Sequence, residues 1–123
     1  MKGLLTEKMK KALTEMLFLS FLEVQPRAIL EIKDLINEKS DSICKIQFPY
    51  AIVNRMVDAG YIREIGKVMT ETRKKNFIEI TPSGKKYLTA IKAEYTNFLK
   101  GVDMIFAYIE EAKAARPPKG KKK

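Results

Sequence analysis

From Thr6 to Val24 the apolar residues Met9, Leu13, Met16, Leu17, Phe21 and Val24 recur at helical spacing, with Lys8, Lys11 and Glu15 between them, which predicts a first helix. Its second half also carries Phe18, Leu19 and Leu22 on the opposite side, so that part is apolar all round and needs cover on both faces. One small domain rarely supplies two covers, and a partner subunit is therefore expected against Phe18 and Leu22. Pro26 suits the first turn of a second helix, where its missing N–H costs nothing, and Ile29, Ile32, Leu35 and Ile36 form its stripe up to Lys39. After the polar break Ser40-Asp41-Ser42, Pro49 opens a third helix with Val53, Met56 and Val57 at core spacing, closed by Gly60.

The pattern then changes period. From Tyr61 to Val68 the alternation is imperfect, whereas Phe77-Ile78-Glu79-Ile80 has the β-branched and aromatic bias of a strand. Between them lies the polar and basic stretch Thr70-Glu71-Thr72-Arg73-Lys74-Lys75, the expected cationic tip of a hairpin. Thr81-Pro82-Ser83 supplies a hydroxyl N-cap and a proline at the first position of a fourth helix.

In that helix Leu88, Ile91, Tyr95, Phe98, Val102, Ile105 and Ile109 follow one another at alternating spacings of three and four, an a/d seam. About 30 residues at 1.5 Å each make a helix of roughly 45 to 50 Å, longer than a small globule. Leu99 and Phe106 widen the stripe, as expected of a helix that touches both its own domain and a neighbour. Gly101, at a cost of roughly 1 kcal/mol relative to alanine, is expected to mark a bend or a close helix crossing.

The fold class is mainly α with a small β-hairpin wing: a winged helix-turn-helix plus a long C-terminal dimerisation helix. Residues 1–115 form the winged-helix domain, with the dimerisation helix at about 82–115, and 116–123 form a disordered basic tail. A chain of 123 residues, 46% hydrophobic and 32% charged, has the apolar content for one core and is too small for two.

Charge and chemistry narrow the function. The formal net charge is +9, and Arg116, Lys119, Lys121, Lys122 and Lys123 carry five of those charges, leaving +4 for the body. The tail fits either a solubilising terminus or an arm that tracks phosphates. The chain has no histidine, which removes the commonest general base and the commonest zinc ligand. It also shows no glycine-rich phosphate loop, nucleophile with a base, or metal-ligand spacing, so neither catalysis nor a cofactor or metal is expected. No apolar run reaches the 18 residues of a bilayer span, no secretory signal is recognisable, and the lone Cys44 does not suggest an oxidising compartment. No membrane partner is expected, and a cytoplasmic location is.

The run from Tyr50 to Ile62 resembles the third helix of PadR-like transcriptional regulators. There a tyrosine is followed by apolar residues three and six positions on, then by glycine and an apolar pair, roles that fall here to Tyr50, Val53, Met56, Gly60, Tyr61 and Ile62. Phe77 to Leu88 is similar to that family's second wing strand and helix start. Where the family commonly has a glycine-tyrosine pair near the second helix this chain has Arg27-Ala28-Ile29, and its turn before the third helix reads Lys45-Ile46-Gln47-Phe48-Pro49. The resemblance implies a homodimeric, sequence-specific regulator of transcription, a repressor. It also implies a small aromatic effector at the dimer interface, where Phe18, Phe21, Tyr95 and Phe98 are available.

A helical wheel with Val53, Met56 and Val57 inward puts Ala51, Asn54, Arg55 and Asp58 outward, with Gln47 at the entrance. Gln47 and Asn54 are assigned to bases, since amides read adenine bidentately, and Arg55 and the Tyr50 hydroxyl to the DNA backbone. Tyr50 has an alternative role as a core aromatic beside Val53. Arg73, Lys74 and Lys75 on the wing are assigned to phosphates or the minor groove. Dimerisation is assigned to Phe18, Leu22, Ile91, Tyr95, Phe98, Val102, Ile105 and Ile109, a pairing that presents two third helices about 34 Å apart to an inverted repeat. Two other functions use the same residues: a plasmid-segregation or architectural protein that coats DNA, and a winged-helix scaffold for protein interaction.

Overall fold

In the computed structural model, which describes residues 4–46, 48–69 and 74–115, and side chains over 13–46, 48–66 and 76–115, large apolar residues of six elements meet in one core. The chain runs α1 (Leu4–Val24), β1 (Arg27–Ala28), α2 (Ile29–Lys39), α3 (Tyr50–Asp58), β2 (Ile62–Met69), β3 (Lys74–Ile80) and α4 (Pro82–Ala115). It forms two compact units, Met1–Ala90 and Ile91–Lys123, the second described as the C-terminal part of α4.

Phe18, Leu19, Ile32, Met56, Ile62, Ile78 and Leu88 fill the interior of the first unit. The second half of α1 is closed on both faces, with contacts to α2, α3 and β3. This corrects the expectation of a subunit contact at Phe18 and Leu22: they are 0% and 2% exposed within the chain itself, so no surface remains there for a partner. A small domain does supply two covers when its central helix is wrapped by two helices and a sheet. Phe18 is equally closed to an effector.

The sheet has three strands in the order β1-β3-β2, one more than the hairpin. Arg27 and Ala28 pair antiparallel with Ile78 and Phe77. The chain is therefore still extended after Pro26, and α2 starts at Ile29 rather than at the proline. Pairing with β3 satisfies the main chain of the connection, and side chains hold it in place. Arg27 lies over the Phe21 ring, 5.8 Å from its centroid, and pairs with Glu31 at 3.3 Å. The same Glu31 carboxylate accepts the Ala28 N–H at the mouth of α2.

Pro49 likewise stands at the N-cap of α3 rather than inside it. Gly60, at φ +83°, ends that helix as its sequence position predicts, while the Tyr61 N–H returns to the Met56 carbonyl at 2.9 Å. The imperfect alternation after Tyr61 has a physical origin: the register of β2 against β3 slips between Glu64 and Gly66, and Gly66 takes φ +149°. Ile65 at the slip is 47% exposed.

Thr81 makes the junction to α4. Its hydroxyl donates to the Gly60 carbonyl at 2.6 Å and accepts the Gly84 N–H at 3.0 Å, and its own N–H reaches the Tyr61 carbonyl. In α4 a Cβ added at Gly101 would meet no atom of the described residues within 4 Å. Among the described residues no helix is long and apolar enough to cross a membrane.

Candidate nucleic-acid interface

The outward face of α3 is set by what it buries. Val53 and Met56 are 2% and 0% exposed, which turns Ala51, Asn54, Arg55 and Asp58 outward as the wheel predicts. Val57, expected in the core, is 37% exposed, in the last turn of the nine-residue α3. Tyr50 is 47% exposed and so is not a core aromatic.

The approach to α3 is held by side chains of α2 and its C-terminus. Asn37 grips Ile46 from both sides, its Nδ2 donating to the Ile46 carbonyl at 3.2 Å and its Oδ1 accepting the Ile46 N–H at 2.8 Å. Asp41 and Ser42 take left-handed conformations, φ 54° and 64°, where polar side chains can bond locally. The Ser40 hydroxyl accepts the Cys44 N–H and donates to the Ile36 carbonyl. Phe48, just before the helix, is 82% exposed, an apolar ring that helical spacing alone does not mark as a contact. Gln47 lies outside the described residues.

The wing is β2 and β3, paired out to Met69 with Lys74. Lys74 and Lys75 therefore belong to the backbone of β3 rather than to the tip, and 70–73 lie outside the described residues. Arg73, with the side chains of Lys74 and Lys75, lies outside the described residues, as does the basic tail 116–123.

Arg55 does not stand free. Its Nε donates to Glu15 Oε2 of α1 at 2.9 Å, and the other oxygen of that carboxylate accepts the Tyr87 hydroxyl of α4, also at 2.9 Å. The Tyr87 ring stacks on Tyr61, with centroids 4.1 Å apart and planes within 9°. The Tyr87 phenol is pushed up from 10.0 to about 12, first by burial, then by its hydrogen bond to Glu15 and by that carboxylate's charge. A raised phenol favours the neutral form in the folded state, so its stabilisation is complete below pH 10.0 and is lost as pH rises through about 12. Tyr87→Phe is expected to remove an ionisation step near pH 12 from the ultraviolet titration; loss of a step near pH 10.0 instead would dismiss the bond.

In the second unit the seam is largely open. Phe98 is 73% exposed, Ile105 58%, Ile109 40% and Tyr95 36%, while Ile91 and Val102 are half-buried.

No protein-family model matches the sequence, and no curated protein matches it. Solved structures do. A transcriptional regulator from Clostridium thermocellum is 25% identical, with a TM-score of 0.68 over 76% of this chain and 92% of its own. A PadR-family regulator from Eggerthella lenta superposes with a TM-score of 0.71 at 15% identity, over 83% of this chain and 88% of its own. A PadR-like regulator from Bacillus cereus gives 0.69 at 18% identity, over 80% and 96%. The fold is PadR-like. In this chain Arg27-Ala28 forms β1 against β3, and Asn37 clamps Ile46 before Pro49.

Proposed function

We propose that this chain binds double-stranded DNA as a homodimer and regulates transcription, as a repressor. The observation that carries the reading is the outward face of α3, where Tyr50, Ala51 and Asn54 stand exposed over a closed core and beside a two-stranded wing. In it, Asn54 and Gln47 read bases, the Tyr50 hydroxyl holds the DNA backbone, and Phe48 contacts a thymine methyl. Arg73, Lys74 and Lys75 meet phosphates. The large apolar side chains exposed along the C-terminal part of α4 support the homodimer, since solvated helices do not otherwise show so much apolar surface.

Selection of bound fragments from random duplexes at two salt concentrations tests the reading. The expected product is an inverted repeat with half-sites about one DNA turn apart. A footprint that spreads with protein concentration points instead to coating of DNA, and no salt-dependent affinity at all points to a protein-interaction scaffold. Replacing Arg73, Lys74 and Lys75 together with alanine is expected to flatten log affinity against log salt by roughly 2 to 3 units. An unchanged slope removes the wing from the interface.

A further inference from the structure

The Glu15 carboxylate is buried to 12% side-chain exposure, yet it is the meeting point of three helices. One oxygen holds Arg55 of α3, the other holds Tyr87 of α4, and Glu15 itself stands on α1. All these residues lie in the first compact unit.

We propose that Glu15 is a positioning residue for the DNA contact: it keeps the Arg55 guanidinium out of the set of phosphate-binding cations while fixing α3 against α1 and α4. The inference rests on the DNA-binding reading of α3. Arg55 is on the outward face of that helix and 42% exposed, so an unpaired guanidinium there would seek the DNA backbone. Paired with a carboxylate, it presents no net charge for counterion exchange. Attraction to a mostly buried partner is also screened less by salt than a surface pair. The Tyr87 hydroxyl holds the carboxylate from the far side, and the raised Tyr87 ionisation is a sign of the same contact. A cation withdrawn in this way lowers the sequence-independent part of the affinity, which phosphate contacts supply, and leaves a larger share of binding to base-reading side chains.

The test uses the full chain, a short random-sequence duplex as probe, and affinity measured across a salt series. Glu15→Gln is expected to steepen the slope of log affinity against log salt by about 0.9, the increment of one added phosphate contact. Arg55→Ala in the wild-type background is expected to leave the slope unchanged, and the double variant is expected to return to the wild-type slope. A slope that flattens by about 0.9 on Arg55→Ala alone overturns the proposal, because Arg55 would then already be on phosphate. So does a folded Glu15→Gln protein with the wild-type slope. Should Glu15→Gln fail to fold, Arg55→Ala decides alone, since it truncates a partly exposed side chain. A wild-type chain that binds no duplex fails at the parent reading, an outcome separate from a wild-type chain that binds but shows no response to Glu15→Gln.

Discussion

Replacing Phe98 and Ile105 together with glutamate is expected to halve the sedimenting mass of the protein. Both side chains lie on the seam of α4 and are 73% and 58% exposed in the single chain. In a symmetric pair each substitution is made twice, so four carboxylates enter an apolar contact without partners. Burying an apolar side chain of this size contributes about 1.5 to 3 kcal/mol, and an unpaired charge in its place costs more than that again. The first compact unit contains neither residue, so its melting should be little affected. DNA affinity should fall with the loss of the second half-site. A dimer that survives the double substitution would place the seam elsewhere.

Gly84→Ala is expected to destabilise the first unit by about 3 kcal/mol, lowering the melting temperature by roughly 10 to 20 °C. A Cβ built on Gly84 falls far inside contact distance of the Tyr61 carbonyl oxygen and 2.8 Å from Ile80 Cγ1. The carbonyl cannot retreat freely, because it accepts the Thr81 N–H at 3.0 Å. The start of α4 would have to move away from the end of β3, and the Thr81 cap with it. Calorimetry checks this directly, and a melting temperature within a degree or two of wild type would show that the junction yields more easily than its hydrogen bonds imply.

The α4 seam and Gly84 also show how unevenly the chain discloses itself. The seam follows from spacing alone, since alternating threes and fours are a property of one helix. Gly84 looks like one more glycine near a helix start, and only the approach of Tyr61 from another element makes it indispensable. Thr81 and Pro82 announce their helix because capping is local, and the structure places the cap bond where it is expected.

Features set by what lies opposite a segment are less legible in its spacing. Pro26 is compatible with a first helical turn, but the edge of β3 was available to pair, and two residues became β1. Phe18 and Leu22 do need a second cover, but α2, α3 and the sheet supply it rather than another subunit. Phe48 is apolar yet stands 82% exposed, two residues after the Ile46 that Asn37 clamps. Arg55 lies on the outward face of α3, as the helical wheel gives it, but its partner Glu15 is forty positions away in the chain.

By itself, then, the sequence determined the helices, the paired strands of the wing, the cap at Thr81, the turn at Gly60 and the continuous apolar seam of α4, since all of these follow from periods and chemistry within a few residues. Only the tertiary structure decided which apolar residues are spent inside the chain, which stand open on α3 and α4, and which charges are already paired. Those outcomes depend on contacts between segments distant in sequence, and the periodicity of one segment carries no information about the face that another will present to it.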